Sequence, residues 1–390
     1  MRPFQAFLRL EASSGLLLLA AAAVALGWAN VSWQTYTAAT SYEIAIGAIH
    51  VSVVDLVNEG LMTLFFLVVG MEIKRELVHG ELDTPGKAAL PAVAAVGGMV
   101  VPAAIYLALN PQGAAARGWA IPIATDIAFS VGVLTLLRGR VPPALIVFVT
   151  ALAIFDDIGG IAVIALFYGH GVHAWALLGV AACGVMLVVL NRARVRRRRA
   201  YGIVCVALWY AMHRAGVHAT LAGVGVGLAV PAHVIGDDEE SPLDRFQHTL
   251  HHWVAFGIVP IFALVNGGVH LGDVSWGAFA NSVTLGIGAG LLVGKTVGIF
   301  GATIAGVKGG VALRPGGATN RQVLGASMIA GIGFTVSIFI ATLAFADAPE
   351  LLMDAKLGII LGSLASGVLG FLVLRVGGNE DAYARNESTA

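Results

Sequence analysis

The sequence predicts an all-α polytopic membrane protein with about twelve transmembrane helices. Its 390 residues are 58% hydrophobic and only 12% charged, whereas soluble globular proteins carry about 25% charged residues. The apolar residues form runs close to the roughly 20 residues that a helix needs to cross the hydrocarbon core. The 23 Lys and Arg residues balance 23 Asp and Glu residues, which argues against nucleic-acid binding through a basic surface. The apolar excess excludes a disordered chain.

Twelve apolar runs define the predicted spans. They fall near residues 12–30, 59–78, 88–109, 121–138, 143–168, 174–190, 200–214, 217–235, 253–270, 283–305, 322–345 and 353–375. The longest polar connection, at about residues 233–252, is too short for a soluble domain. We therefore expect a single transporter domain over residues 1–390, with short tails at about 1–10 and 376–390. Arg2 and Arg9 also fit a cleavable signal peptide, but the run after them is long enough to span.

The distribution of Lys and Arg predicts the orientation, because these residues accumulate in cytoplasmic loops. With the N-terminus inside and twelve alternating spans, nearly all of the 23 lie on the cytoplasmic side. The exceptions are Arg117, Arg214 and Lys356 on the opposite side and Lys295 within a span. Both termini are therefore expected in the cytoplasm. The six arginines between Arg192 and Arg199 are expected to anchor this topology and to contact anionic lipid.

Four charged side chains lie at mid-span depth: Asp126, Asp156, Asp157 and Lys295. Burying an ion in hydrocarbon costs at least about 2.5–3.5 kcal/mol on insertion scales, so such residues face an interior cavity and indicate function. Two adjacent aspartates and a nearby ammonium should titrate as a set. Such a set can exchange a proton for a hard cation, which prefers oxygen ligands. The alternative is a buried ion pair that only fixes helix packing, which a third aspartate on another span disfavours.

The fourth and eleventh runs are interrupted by residues that break helices. Pro122 precedes the polar pair Thr125–Asp126, and the eleventh run contains Gly331 and Gly333. Interruptions in corresponding spans of two halves are typical of broken helices in transporters with inverted repeats. Unwound backbone persists at membrane depth only beside a protein-lined cavity. Glycine also permits close helix packing, but the polar pair in the partner run favours broken helices.

Five sequence motifs are more specific than composition. They are Phe-Phe-Leu-Val-Val-Gly-Met-Glu-Ile-Lys-Arg-Glu-Leu at residues 65–77, Thr-Asp-Ile-Ala-Phe at 125–129, Phe-Asp-Asp-Ile-Gly at 155–159, Gly-Val-His-Ala-Thr-Leu-Ala-Gly at 216–223 and Ala-Gly-Ile-Gly-Phe-Thr-Val-Ser-Ile-Phe at 330–339. Together, over about residues 5–375, the sequence resembles the NhaA family of sodium/proton antiporters. This family is itself a known example of the inverted-repeat architecture, so the resemblance and the broken-helix argument are not independent.

The resemblance implies a twelve-helix fold in which spans 3–5 and 10–12 are inverted repeats and helices 4 and 11 are broken. It implies an electrogenic Na⁺/H⁺ antiporter of the inner membrane, with Li⁺ as a further candidate ion, that serves sodium and pH homeostasis. It implies no cofactor and no enzymatic activity. The family is usually a homodimer formed through a small extracytoplasmic β-hairpin after span 1. Here that hairpin falls within residues 30–54, with strands expected at residues 32–36 and 44–49.

The resemblance also assigns roles to the buried charges. Asp156 and Asp157 would exchange the cation and the proton, while Thr125 and Asp126 would shape the binding site. Lys295 would neutralise Asp156 when no ion is bound, or carry a proton itself. Gly331 and Gly333 would form the broken segment of the eleventh span.

Further residues match positions that the family links to its pH response. They are Glu72, Arg75, Glu76, His218, His248 and His251. For His218 the alternative is a buried histidine with satisfied hydrogen bonds. His248 and His252 are four residues apart, as in some metal sites, but without a third ligand close by an interfacial cluster is favoured. Gln247 and Glu59 replace a glutamate and an aspartate of the family pattern, which affects the expected activation pH rather than the transport chemistry.

Other functional classes fit the sequence less well. An intramembrane aspartyl protease needs one aspartate from each of two helices, whereas Asp156 and Asp157 are adjacent. A retinal pump would use Lys295 as a Schiff base, but aromatic residues make up only 8% of the chain, too few for the expected pocket. The alternative that remains is another cation-coupled transporter, a symporter that uses the same Asp/Lys site.

Overall fold

The computed structural model describes residues 2–46, 49–80, 82–137, 139–169, 173–234, 240–273, 276–310 and 312–377. These residues are mostly helical, with one two-stranded sheet. They divide into two compact units: the first comprises the described residues within 2–31, 84–160 and 267–377, and the second those within 32–83 and 161–266. The C-terminal tail predicted at about residues 376–390 lies outside the described residues from residue 378 onward.

Nine helical segments within the described ranges, one of them interrupted, are long and apolar enough to cross a membrane. Their bounds are Ser13–Val31, Val53–His79, Pro85–Leu109, Ala114–Leu136, Pro143–Phe167, Trp175–Arg192, Pro242–Asn266, Trp276–Lys308 and Pro349–Val376. A tenth candidate is the pair Asn320–Ile329 and Phe334–Ala344, which is bent by 45° at its break. The polytopic helical class is thus confirmed, while the count of twelve spans and the inverted repeats stay predictions.

The two remaining apolar runs form helices that are shorter or more polar than a span requires. Arg198–Ala215 begins with two arginines and ends with His213, Arg214 and Ala215. Leu221–Ala229 has nine residues, which at 1.5 Å per residue is about 14 Å. That is half of the roughly 30 Å hydrocarbon core, so any span here depends on the non-helical residues that flank the helix.

In the first unit, facing glycines bring the helices Pro85–Leu109 and Lys295–Lys308 together. A Cβ at Gly97 would strike the carbonyl oxygen of Gly298, and a Cβ at Gly298 would strike that of Gly97. Small residues allow such backbone contact between membrane helices. The glycine pair therefore fixes the helix that begins with Lys295.

A π-helical turn, Gly290–Gly294, comes immediately before Lys295. A Cβ at Gly290 would strike the side chain of Pro122, and one at Gly294 would strike Pro102. Turns of this kind insert an extra residue into a helix and occur frequently at functional sites. Here the turn interrupts regular helical geometry directly beside a buried charge.

In the second unit, the helix Val53–His79 packs closely on the short helix Leu221–Ala229. Lys74, on the longer helix, caps the C-terminus of the shorter one. Lys74 Nζ donates to the carbonyl oxygens of Leu228, at 2.9 Å, and Val230, at 2.5 Å. The amide of Asn191 donates to the Ala229 carbonyl at 2.7 Å. A cation at a helix C-terminus stabilises the helix through its dipole, and these donors satisfy carbonyls that the helix leaves without an internal partner.

The sheet after the first span is confirmed, but its strands lie elsewhere than predicted. They are Glu43–Ile46 and Ile49–Ser52, paired antiparallel. The predicted strand at residues 44–49 overlaps both of them and includes residues 47 and 48, which lie outside the described residues.

The prediction of a strand at residues 32–36 is wrong, because Trp33–Thr40 is a helix. Helical spacing puts Trp33 and Tyr36 one turn apart, and their rings stack with centroids 5.7 Å apart. The Tyr36 hydroxyl lies within hydrogen-bonding distance of the carbonyl oxygens of Leu264 and Val265. These contacts of the buried Tyr36 favour the helix over the strand propensity of the threonines, since that propensity is context-dependent.

Candidate functional site

Helical structure is interrupted at both places that the sequence predicts. The first broken segment, Ala114–Leu136, consists of the 3₁₀ helix Ala114–Ile123, a non-helical stretch at residues 124–126 and the α-helix Ile127–Leu136. The second broken segment, residues 320–344, consists of the helices Asn320–Ile329 and Phe334–Ala344, with a break at residues 330–333. Each break exposes backbone groups that need partners from another part of the fold.

The two breaks supply each other's hydrogen-bond partners. The Asp126 backbone N–H donates to the Ile332 carbonyl at 2.7 Å. The Thr125 hydroxyl lies 2.8 Å from the carbonyl oxygen of Ala330, and the Ser130 hydroxyl donates to the Ile329 carbonyl at 3.1 Å. Unwound backbone is thereby paired inside the protein, as a low-dielectric environment requires.

Gly331 and Gly333 are needed at the second break because other segments of the same chain approach them closely. A Cβ at Gly331 would strike the carbonyl oxygen of Leu291, and one at Gly333 would lie 3.0 Å from the carbonyl oxygen of Ala124. Neither glycine has a positive φ. The sequence signal is therefore explained by close approach rather than by a left-handed backbone conformation.

The carboxylate of Asp126 joins the N-termini of two helices. Its Oδ1 accepts the Phe129 backbone N–H at 3.2 Å in the first turn of its own helix. Its Oδ2 accepts both the backbone N–H of Thr335, at 3.1 Å, and the Thr335 hydroxyl, at 2.6 Å. Because helix N-termini carry partial positive charge, one buried carboxylate stabilises both half-helices. Its Oδ1 and Oδ2 already have donors from the protein.

Replacing Thr335 with valine should lower the thermal stability of the purified protein measurably. The substitution keeps the side-chain volume but removes a hydrogen bond to a buried carboxylate, which contributes about 1.5–3 kcal/mol. Ser337→Ala is the matched control, because the Ser337 hydroxyl donates to a neutral carbonyl, that of Ile121, at 2.8 Å. We expect a smaller loss there, about 0.5–1.5 kcal/mol. Equal melting temperatures for the two variants would contradict the role given to Asp126.

Asp156 and Lys295 form a fully buried ion pair. Asp156 is 1% exposed and Lys295 is 0% exposed. Lys295 Nζ donates to Asp156 Oδ2 at 2.5 Å, and the Thr125 hydroxyl lies 2.7 Å from the same oxygen. Among the described residues, Asp156 Oδ1 has no hydrogen-bond partner. The site thus holds one satisfied carboxylate oxygen and one that is buried without a donor, which is costly unless another ligand serves it.

Asp157 is half-buried and follows Asp156 on the helix Pro143–Phe167, about 100° further around the axis. Its carboxylate interacts electrostatically with the Lys295 ammonium. Two carboxylates therefore act on one buried ammonium. Thr125, Asp126, Asp156, Asp157 and Lys295 all belong to the first unit, as do both broken segments.

Comparison with known proteins identifies the family. A family model described as Na⁺/H⁺ antiporter 1 matches residues 5–374, nearly the whole chain. The chain belongs to this antiporter family. The Na⁺/H⁺ antiporter NhaA 1 of Myxococcus xanthus is 50% identical over 96% of this chain and 93% of its own length. The Na⁺/H⁺ antiporter NhaA of Rhodospirillum rubrum is 47% identical over 96% of this chain and 98% of its own length.

The charged cluster that the family resemblance links to pH lies in the second unit. The Arg75 guanidinium lies 3.2 Å from a carboxylate oxygen of Glu76 and 4.0 Å from one of Glu72. Arg75 and Glu76 also line a cavity of about 370 Å³. Other polar residues around this cavity are His79, His233, Ser241 and Asp244. The structure thus brings the three predicted charges together, while their role in a pH response stays a prediction.

The predicted histidines of this antiporter occupy different environments. His218 Nε2 lies 2.5 Å from the Tyr168 carbonyl oxygen, which fits a histidine with a satisfied hydrogen bond. His248 and His252 are exposed, and the ring of His252 lies 4.7 Å from that of Phe256. His251 is half-buried. Within the described ranges, no group of three or more His, Cys, Asp or Glu side chains is arranged to hold a metal ion.

Sequence reasoning missed two polar contacts. Thr335 lies in the motif at residues 330–339, and its hydroxyl donates to Asp126, a contact that the motif alone does not predict. Asn58 and Asn266 exchange side-chain hydrogen bonds in the second unit, at 2.8 and 3.3 Å. Asn266 interrupts the apolar run at residues 253–270, a signal that could have singled it out, because an amide at that depth needs a partner. Glu59, which departs from the family pattern, lies 3.6 Å from His213.

Proposed function

We propose that the chain is a secondary active, electrogenic antiporter that extrudes Na⁺ in exchange for external protons and thereby serves sodium and pH homeostasis. Li⁺ is a further candidate ion. Family membership and the names of the relatives support Na⁺/H⁺ exchange. The observation that carries the proposal is the buried Asp156 carboxylate, with one oxygen on Lys295 and the other without a partner in the described part of the chain, beside Asp157.

Exchange follows from competition for the same oxygens. Na⁺ is a hard cation and binds ionised carboxylate and carbonyl oxygens, so it requires the deprotonated forms of Asp156 and Asp157. Protons bind the same carboxylates and remove the negative charge that the cation needs. In the ion-free site, the Lys295 ammonium takes the place of the missing cation at Asp156. A site that holds either Na⁺ or protons, and is exposed to each side in turn, carries the two in opposite directions.

The proposal also covers the membrane topology, the dimer contact, lipid binding and the pH response. Twelve spans form one transporter domain in the inner membrane, with both termini in the cytoplasm and inverted repeats in spans 3–5 and 10–12. The strands Glu43–Ile46 and Ile49–Ser52 form a homodimer contact. Anionic lipid binds the arginines between Arg192 and Arg199. Glu72, Arg75, Glu76, His218, His248 and His251 adjust activity to pH.

Inside-out membrane vesicles provide the test. A pH gradient is formed first, and NaCl is then added while an acridine dye reports the gradient. We expect Na⁺ to dissipate the gradient, whereas the same concentration of choline chloride leaves it intact. A symporter that uses the same site would move no protons when Na⁺ is added without its second substrate. A gradient unaffected by Na⁺ would contradict the proposal.

The same assay gives the pH dependence of the apparent Na⁺ affinity. Because protonation removes the charge that binds Na⁺, the apparent KM should rise as pH falls, by up to about tenfold per pH unit for one competing proton. The measurement is a series of Na⁺ titrations at fixed pH values. A KM that is independent of pH, with only the maximal rate changing, would contradict competition and indicate a separate regulatory gate.

A further inference from the structure

The side-chain amide of Gln322 uses its two ends for different contacts. Gln322 is 2% exposed and lies in the first turn of Asn320–Ile329, the first half of the second broken segment. Its Oε1 accepts the backbone N–H of Thr319 at 2.9 Å, and its own backbone N–H donates to the Thr319 hydroxyl at 3.2 Å. This is a capping box, which satisfies two amide donors where a helix starts. Its Nε2 donates to the carbonyl oxygen of Arg140 at 2.9 Å, across 182 positions of the chain.

Arg140 lies at a turn on which the geometry of the ion site depends. The turn follows the helix Ile127–Leu136, which begins beside Thr125, and precedes the helix Pro143–Phe167, which carries Asp156. At 1.5 Å per residue, these helices place the turn about 15 Å from Thr125 and about 20 Å from Asp156. The two side chains nevertheless meet, with the Thr125 hydroxyl 2.7 Å from Asp156 Oδ2. The turn therefore joins the two segments that bring these groups together.

The half-helices Ile127–Leu136 and Asn320–Ile329 are joined at both of their ends. Beside the two breaks, the Ser130 hydroxyl donates to the Ile329 carbonyl at 3.1 Å. At the far ends, Gln322 holds the turn that follows the first of these helices. Two helices joined only beside the breaks could still pivot about that contact. The second contact restricts this motion, so the turn is held in place relative to the second broken segment.

We propose that Gln322 is a positioning residue for the ion site, which acts through the turn at Arg140 rather than by contact with the ion. This inference rests on the proposed function. A hard cation needs several oxygen ligands that converge on it, so Na⁺ binding depends on how Thr125 and Asp156 are held relative to each other. A proton binds one oxygen of one carboxylate and needs no such convergence. Loss of the Gln322 contact should therefore weaken Na⁺ binding and leave proton binding nearly unchanged.

Thr319 supplies a matched control, because it belongs to the cap but not to the contact with Arg140. Gln322→Met keeps the length of the side chain and removes both the cap and the contact. Thr319→Val removes the hydroxyl of the cap and leaves the Gln322 amide in place to reach Arg140. Gln322→Asn keeps an amide but is shorter by one methylene, so it no longer reaches that carbonyl. The two Gln322 variants should therefore behave alike and differ from Thr319→Val.

Na⁺ titrations of exchange in inside-out vesicles, on the full-length chain at one fixed pH, test the inference. The apparent KM for Na⁺ should rise about two- to tenfold in both Gln322 variants, the factor expected from one net hydrogen bond. Thr319→Val should keep the KM of the wild-type protein. Proton release at saturating Na⁺ is measured on the purified proteins as a function of pH. The pH of half-maximal release should be the same in all of them.

A wild-type KM in both Gln322 variants would overturn the inference, and so would an equal rise in Thr319→Val, which would assign the effect to the cap. A lower maximal rate at unchanged KM would also overturn it, because lost stability reduces the amount of active protein rather than its affinity for Na⁺. Gln322→Asn keeps these outcomes measurable if the methionine variant does not fold. Absence of exchange in the wild-type protein would instead contradict the proposed function.

Discussion

Replacing Asp157 with asparagine should abolish Na⁺ binding and Na⁺/H⁺ exchange. The substitution keeps the size of the side chain but removes an ionisable oxygen ligand from the site, and a hard cation binds an amide much less readily than a carboxylate pair. It also removes one of the two carboxylates that act on Lys295. The measurements are proton release from purified protein on adding Na⁺ and dissipation of a pH gradient in vesicles. Proton release should be absent, and dissipation of the gradient should fall to the level seen in vesicles without the protein.

Asp354→Asn is the matched control for that variant. Asp354 is a carboxylate of the same unit, on the helix Pro349–Gly377, and it accepts a hydrogen bond from the Asn281 amide at 2.6 Å. It is not part of either break or of the buried ion pair, so exchange should persist. Wild-type rates of exchange in Asp157→Asn would remove Asp157 from the proposed site. Loss of exchange in both variants would mean that the assay reports general damage to the unit.

Replacing Lys295 with alanine should destabilise the protein by about 3–5 kcal/mol, because it leaves the buried carboxylate of Asp156 without its counter-charge. Both partners are 0–1% exposed, so solvent cannot replace the lost ammonium. The double variant Asp156→Asn/Lys295→Gln removes both charges and should be more stable than Lys295→Ala. Thermal unfolding in detergent gives the comparison. Lys308→Ala, at the exposed end of the same helix, should leave the melting temperature nearly unchanged.

The double variant decides whether the ion pair explains the effect. If it melts as low as Lys295→Ala, packing of the lysine side chain rather than its charge would account for the loss.

A second measurement separates the two roles proposed for Lys295, proton carrier and structural counter-ion. It follows Na⁺/H⁺ exchange at clamped potentials in proteoliposomes that contain the Lys295→Gln variant. Moving one charge inward is driven by about 2.3 kcal/mol per 100 mV. Loss of voltage sensitivity assigns a transported proton to Lys295, and retained sensitivity assigns it the role of a structural counter-ion.

The residues of the buried site could be found from the sequence because burial of charge is a local property. Each of Asp126, Asp156, Asp157 and Lys295 lies within an apolar run, and a charge there is costly wherever the rest of the chain lies. The two breaks could be found for a similar reason. Proline and closely spaced glycines with polar neighbours weaken a helix locally, and the structure interrupts its helices at those residues.

The strand predicted at residues 32–36 shows where local reasoning fails. Threonine and aromatic residues favour strands only when cross-strand and same-face neighbours suit them. The residue that decides this stretch, Tyr36, is buried and reaches carbonyls more than 220 positions away in the sequence. The contact is made from the helix Trp33–Thr40, and no pattern within residues 30–54 contains that information.

The sequence by itself determined the membrane class, the acids and the lysine that carry charge into the apolar interior, and the places where two helices break. The tertiary structure decided which atoms meet. The Lys295–Asp156 contact, across 139 positions, is the one that the family resemblance implies. The Thr125 hydroxyl reaches Ala330 across 205 positions, and Asp126 caps the helix of Thr335 across 209; the sequence predicts neither contact. Such pairings depend on how closely backbones approach one another, and here facing glycines and mutually paired breaks set that distance. Local residue preferences fix the cost of an unpaired buried group, but only the packed fold determines its partner.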